Sequence, residues 1–287
     1  NFFNIGTWGK HGVDLFFVIS GYIIVYVQDI SKKDFKTFLW NRSIRIIPTY
    51  YFLTTIMVLL LVIFPNIFLE MKSQNEIFFR SYLFLSSIYS HRPVIYVGWS
   101  IEYELFFYFI FAVSILFKNK IDEKYFTLIV IFLIFYLLNL NLIILEFCLG
   151  ILVYLFSKKV KLNNLNSIFI FLLGLFIFIF NPIVDHNLHG FFTYGISSAL
   201  ILFGVLNLKQ YKFNTLKFLG DASYSIYLIQ VFTISFFFKV LKYFPVNGFE
   251  FLFFLLNILF TVLVGSVFYL IFEKKILQFK KSKKLKK

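Results

Sequence analysis

Asp14 is the one acidic residue in Gly12-Val13-Asp14-Leu15-Phe16-Phe17-Val18-Ile19-Ser20-Gly21-Tyr22, a run apolar enough to enter a membrane. A carboxylate in such a segment costs roughly 2.5–3.5 kcal/mol at the bilayer centre and less near the interface, so it marks a site. One short basic loop later come Arg42 and Arg45, which are three residues apart and therefore share a helix face. Pro48 then fits the first turn of the next span, where a missing N–H costs nothing. A planar guanidinium pair at a helix entrance suits a diphosphate such as that of coenzyme A. A topogenic cluster touching anionic lipid would have the same spacing.

Two further groups of polar residues sit in apolar surroundings. In Trp99-Ser100-Ile101-Glu102-Tyr103-Glu104 the two acids are about 200° apart around a helix and cannot face one site. Glu104 is the deeper one, about 7.5 Å along the axis from Trp99, which is placed to anchor at the interface. Its carboxylate is either functional or charge-paired, with Arg80 as the candidate partner. Ser223, Tyr227 and Gln230 recur at i, i+4 and i+7 as a polar stripe that lines a cavity or hydrogen-bonds neighbouring helices. Gly220-Asp221 reads as the turn that starts that helix. Glu146 lies near the outer end of another apolar segment, and Glu273 at the inner end of the last. Asp185-His186-Asn187-Leu188-His189 reads as a loop, and no metal site is expected there.

The elements that position these residues follow from composition. Of 287 residues 60% are hydrophobic and 23% aromatic, Phe alone contributing 45. Mean hydropathy is +0.84. Segments apolar on all sides need lipid, so the expected fold is all-α, a polytopic membrane bundle forming a single domain over residues 1–287. The net charge of +14 is confined to loops and the C-terminal tail, which indicates topology rather than nucleic acid. Cys148 stands alone, which leaves no disulfide and no cysteine-based metal site.

Apolar segments are expected at 12–28, 46–64, 77–90, 99–117, 125–139, 142–157, 166–181, 190–207, 222–244 and 249–273. The segment at 77–90 is short and carries Arg80 among serines, so it reads as re-entrant or interfacial. With about nine spans, every lysine-rich loop and the basic tail 274–287 fall on the cytoplasmic side. Asp14 then lies near the outer face, and Arg42 and Arg45 near the inner one.

Taken in order, Gly12-Val13-Asp14 through Ser20-Gly21, Arg42-x-x-Arg45 with Pro48, Trp99-Ser100 with Glu104 and Phe107-Tyr108, and Ser223-Tyr224-Ser225-x-Tyr227-Leu228 resemble the acyltransferase 3 family. Gly98-Trp99 and Leu145-Glu146-Phe147-Cys148-Leu149-Gly150 resemble its exopolysaccharide-production branch. The resemblance implies an inner-membrane O-acyltransferase that uses acyl-CoA, usually acetyl-CoA, as co-substrate and has no bound cofactor. The acceptor would be a carbohydrate hydroxyl, with membrane lipid and polysaccharide-assembly proteins as partners. Asp14 and Glu104 match the family's acidic catalytic positions, and Arg42 and Arg45 its donor grip. Ser20, Trp99, Ser223, Tyr227 and Gln230 would line the cavity.

Two departures matter. The family's base is a His on a membrane helix ahead of the Gly-Val-Asp segment, and a further helix before Asn1 is expected to carry it and to bring the total to ten spans. Without that helix the chain is expected to be inactive. All four histidines, His11, His91, His186 and His189, fall in expected loops; His11, beside the Gly-Val-Asp run, is a poor stand-in. Gln230 occupies a position often His in the family and cannot act as a base. The alternatives are a polysaccharide transporter or export component, and a catalytically inactive scaffold.

Overall fold

Inside a bilayer each peptide N–H and C=O must be satisfied within its own segment, and this chain meets that demand with helices. The computed structural model describes residues 11–64, 75–87, 91–138, 140–184, 190–209, 213–241 and 249–285, and no strand occurs among them. The first helices are α1 (Gly12–Ser31), α2 (Phe35–Ile63), α3 (Asn75–Tyr82), α4 (Gly98–Leu116) and α5 (Glu123–Leu138). A short 3₁₀ turn at Leu142–Ile144 leads into α6 (Leu145–Lys159), followed by α7 (Asn164–Val184). A π-helical turn, Phe191–Gly195, opens α8 (Ile196–Asn207). After α9 (Asn214–Leu241) and α10 (Glu250–Phe268), a second π-helical turn at Tyr269–Glu273 leads into α11 (Lys274–Leu285).

Among the described residues four stretches are long and apolar enough to cross a membrane: Gly12–Ser31, Phe35–Ile63, Gly98–Leu116 and Phe251–Phe279. Helix α3, with 8 residues, is about 12 Å long and cannot span.

The chain divides into two compact units, each assembled from two separated stretches. One comprises Asn1–Leu39 with Tyr103–Tyr211, and the other Trp40–Glu102 with Lys212–Lys287. In the first unit α1 packs along α6 and α7 along α8, while α8 also touches α1 and α6. The α1–α6 contact is backbone on backbone. A Cβ on Gly21 would collide with the carbonyl of Phe147, and one on Gly150 with the carbonyl of Val18. Small residues allow this approach, which membrane helices use in place of a hydrophobic driving force. Rings extend the contact sideways: Phe147 lies 4.6 Å from Phe17 and 4.4 Å from Phe107, centroid to centroid. At the far end of α1, Asp29 accepts from the Tyr154 hydroxyl and from Lys158 of α6, with Lys124 at 3.8 Å.

In the second unit α9 packs along α10, with Gly265 admitting the backbone of Ile226. The Tyr51 hydroxyl of α2 donates to the carbonyl of Tyr82 at 2.7 Å, closing the end of α3. The Glu102 carboxylate accepts from the backbone N–H groups of Ser86 at 3.1 Å and Ser87 at 2.6 Å, where the chain leaves helical geometry.

Two expected boundaries are corrected. The basic stretch is not a loop to residue 45: α2 begins at Phe35, so Arg42 and Arg45 are helical and Pro48 is an interior residue, not a first-turn one. Asp34 supplies the earlier start by accepting the N–H of Thr37 at 3.2 Å. Hydrogen bonding to Thr37 holds that carboxylate below its ordinary range. Gly220-Asp221 is likewise no helix start, since α9 runs through it from Asn214. The basic tail is helical from Lys274 to Leu285. The Asp185–His189 stretch lies outside the described residues.

The α1–α6 contact predicts that Gly150→Leu is destabilised by about 1–3 kcal/mol or more, because backbone cannot yield to the new side chain. Gly12→Ala, where nothing lies within 4 Å, leaves stability nearly unchanged. Thermal unfolding of the two detergent-purified variants separates these outcomes.

Candidate active site

The glycine contact brings the first turns of α1 and α6 together and sets two carboxyl groups beside each other. Asp14 is 5% exposed, and Glu146, in the first turn of α6, is 0% exposed. They are near enough to interact, yet no donor reaches either oxygen of Glu146 in good geometry among the described residues. The π-helical turn that opens α8 completes the surroundings. A Cβ on Gly195 would sit 3.2 Å from Cγ and Oε1 of Glu146, so glycine leaves room for that carboxyl. Gly190 faces Oδ1 of Asp14. Such turns recur at functional positions because the wider helix turn redirects side chains.

His11 closes the cluster. Its Nδ1 lies 3.3 Å from Oδ2 of Asp14, and its ring stacks on Tyr194 at a centroid distance of 3.3 Å and an interplanar angle of 10°. An imidazole oriented by a carboxylate is the usual form of a general base. His11, placed in a loop by sequence, is thus held on two sides by residues far apart in the chain.

Glu104 occupies a separate position in the same unit. It is 5% exposed and accepts from the Tyr108 hydroxyl, one turn further along α4, and from Oγ of Ser20 on α1 at 3.4 Å. Ser20 lies about 9 Å along α1 from Asp14, so the two acids use different partners. Glu102 serves the backbone of Ser86 and Ser87, in keeping with its opposite heading on α4. Arg80 pairs with Glu76 at 2.8 Å.

In the second unit Arg45 is exposed and Arg42 half-buried on α2. Two residues before Pro48, the carbonyl of Ile46 accepts from the Tyr224 hydroxyl at 2.9 Å, which fastens this stretch to α9. The next α9 residue, Ser225, donates to Glu273 in the second π-helical turn. Glu273 is 2% exposed, with Arg45 within electrostatic reach. Tyr227 meets Oγ of Ser100 at 2.7 Å and the carbonyl of Val97 at 3.1 Å, which joins α9 to the start of α4. Trp99 and Gln230 are half-buried. Ser223 is exposed and donates back to the carbonyl of Gly220.

The grouping of His11, Asp14 and Glu146 was not legible from spacing. Its only sequence signal is an acid near the end of each of two apolar segments. Loss of a hydroxyl from a buried carboxylate should be costly: Tyr108→Phe is expected to destabilise the protein by about 1–3 kcal/mol. Exposed Tyr136→Phe serves as the neutral comparison, read by thermal unfolding in detergent.

A family model described as an acyltransferase domain matches residues 1–271. The exopolysaccharide production protein ExoZ of Rhizobium meliloti is 29% identical over 255 residues, covering 80% of this chain and 78% of that protein. No solved structure matches.

Proposed function

The chain belongs to the acyltransferase 3 family, and from that premise we propose that it is a multi-pass inner-membrane O-acyltransferase with a cytoplasmic C-terminus. It moves an acyl group, acetyl in the simplest case, from cytoplasmic acyl-CoA to a hydroxyl of a cell-surface or exopolysaccharide sugar. What carries the reading is Asp14, buried in an apolar helix with its Oδ2 3.3 Å from an imidazole nitrogen. The similarity to an exopolysaccharide production protein supports the acceptor class.

The chemistry assigns each group a task. An imidazole oriented by Asp14 takes the proton of the sugar hydroxyl, having a pKa suited to that work. The alkoxide oxygen attacks the thioester carbonyl, the carbon–sulfur bond breaks, and the proton goes to the departing thiolate. Arg42 and Arg45 take the negative charge of the donor's diphosphate. Glu104, held by Ser20 and Tyr108, is a buried charge that stabilises developing positive charge or orients the base. Ser20, Trp99, Ser223, Tyr227 and Gln230 are assigned to the walls around the substrates.

Arg45→Ala and Glu104→Gln, expressed in cells lacking the wild-type protein, are expected to lower ester-linked acyl groups on the polymer at least tenfold with polymer export intact. Alkaline release of the acyl groups, alongside polymer yield, measures both. Loss of export with acylation of the intracellular pool intact would sink the enzyme reading in favour of transport.

A further inference from the structure

Glu146 has no task in the acyl transfer described above, and its surroundings are unusual for a carboxylate. It is wholly buried, no donor meets either of its oxygens among the described residues, and another carboxyl, Asp14, is near enough to interact with it. The elements packed around it bring Asp14 from α1, His11 from the residue before that helix, and Tyr194 from the π-helical turn. The imidazole of His11 is engaged with Asp14, at 3.3 Å. Two ionised carboxylates side by side would both be acceptors and would repel, and His11 meets only one of them, Asp14. A single proton between them removes both difficulties. A neutral carboxylic acid has the donor that its neighbour lacks, and it carries no charge to desolvate.

We propose that Glu146 is held as a neutral carboxylic acid whose O–H donates to the Asp14 carboxylate, making it a positioning residue that fixes Asp14 against His11. Asp14 then keeps its charge while one of its lone pairs is occupied from the α6 side, which limits rotation of its carboxylate away from the imidazole. Gly195 is part of the device, since a Cβ there would press on Oε1 and Cγ of Glu146. The consequence for activity rests on the acyl-transfer reading; the protonation state of Glu146 does not.

The test therefore has two arms. In the first, infrared difference spectra of the purified full chain at neutral pH are expected to contain a protonated-carboxyl C=O band that Glu146→Gln removes. Asp14→Asn, which weakens the acceptor, is expected to shift that band. A spectrum unchanged by either substitution overturns the proposal, whatever the reaction is. In the second, Glu146→Leu is expected to lower acyl transfer ~100-fold, the scale of loss when a reacting group is misplaced. Glu146→Gln, which restores a neutral donor, should recover most of that loss with an unaltered pH profile. Equal inactivity of the Gln and Leu variants, both inserted and monodisperse, contradicts a neutral donor and points to an ionised Glu146.

Discussion

The backbone contact of α1 with α6 at Gly21 and Gly150 determines what the first unit can do. With no water to drive apolar faces together, membrane helices gain their association from close packing, and only glycine permits this separation. That approach places the first turn of α6 against the first turn of α1, and so sets Glu146 beside Asp14. The rings of Phe17, Phe107 and Phe147 fill the adjoining layer and keep the local dielectric low. Every electrostatic interaction at Asp14 gains strength from that setting.

The acids other than Glu146 that are buried or partly buried in the helices are met in different ways, and the differences divide labour. Glu102 accepts the backbone N–H groups of Ser86 and Ser87, beyond the end of α3. Glu104 takes hydroxyls from its own helix and from α1. Asp29 is met by lysines and a tyrosine at the opposite end of α1. Glu273 receives a serine hydroxyl and lies near Arg45. Asp14 faces an imidazole on one side and a second acid on the other, the arrangement most suited to proton chemistry.

Much of this was legible in the sequence, because burial of charge in apolar runs is a strong constraint. Asp14 and Glu104 stand out on that ground alone, and the opposed headings of Glu102 and Glu104 follow from helix geometry. The short, polar character of 77–90 likewise anticipated a helix too short to span. Pairings between distant elements were less accessible. Nothing in spacing says that Tyr194 will stack on His11, or that Glu146 will meet Asp14. Boundaries failed where one cue outweighed another: Pro48 suggested a helix start, but the Asp34 cap begins α2 earlier and the helix carries proline in its interior. The polar stripe divided as well, with Tyr227 joining two helices and Ser223 bonding its own backbone.

The proposed reaction moves an acyl group from a coenzyme A thioester to a sugar hydroxyl. The most direct measurement supplies purified protein in proteoliposomes with radiolabelled acetyl-CoA and an oligosaccharide acceptor, and follows label into alkali-labile ester. Ester formation that depends on the protein is expected, with Asp14→Asn reducing it to background. Movement of oligosaccharide across the bilayer with no label incorporated would contradict that reaction.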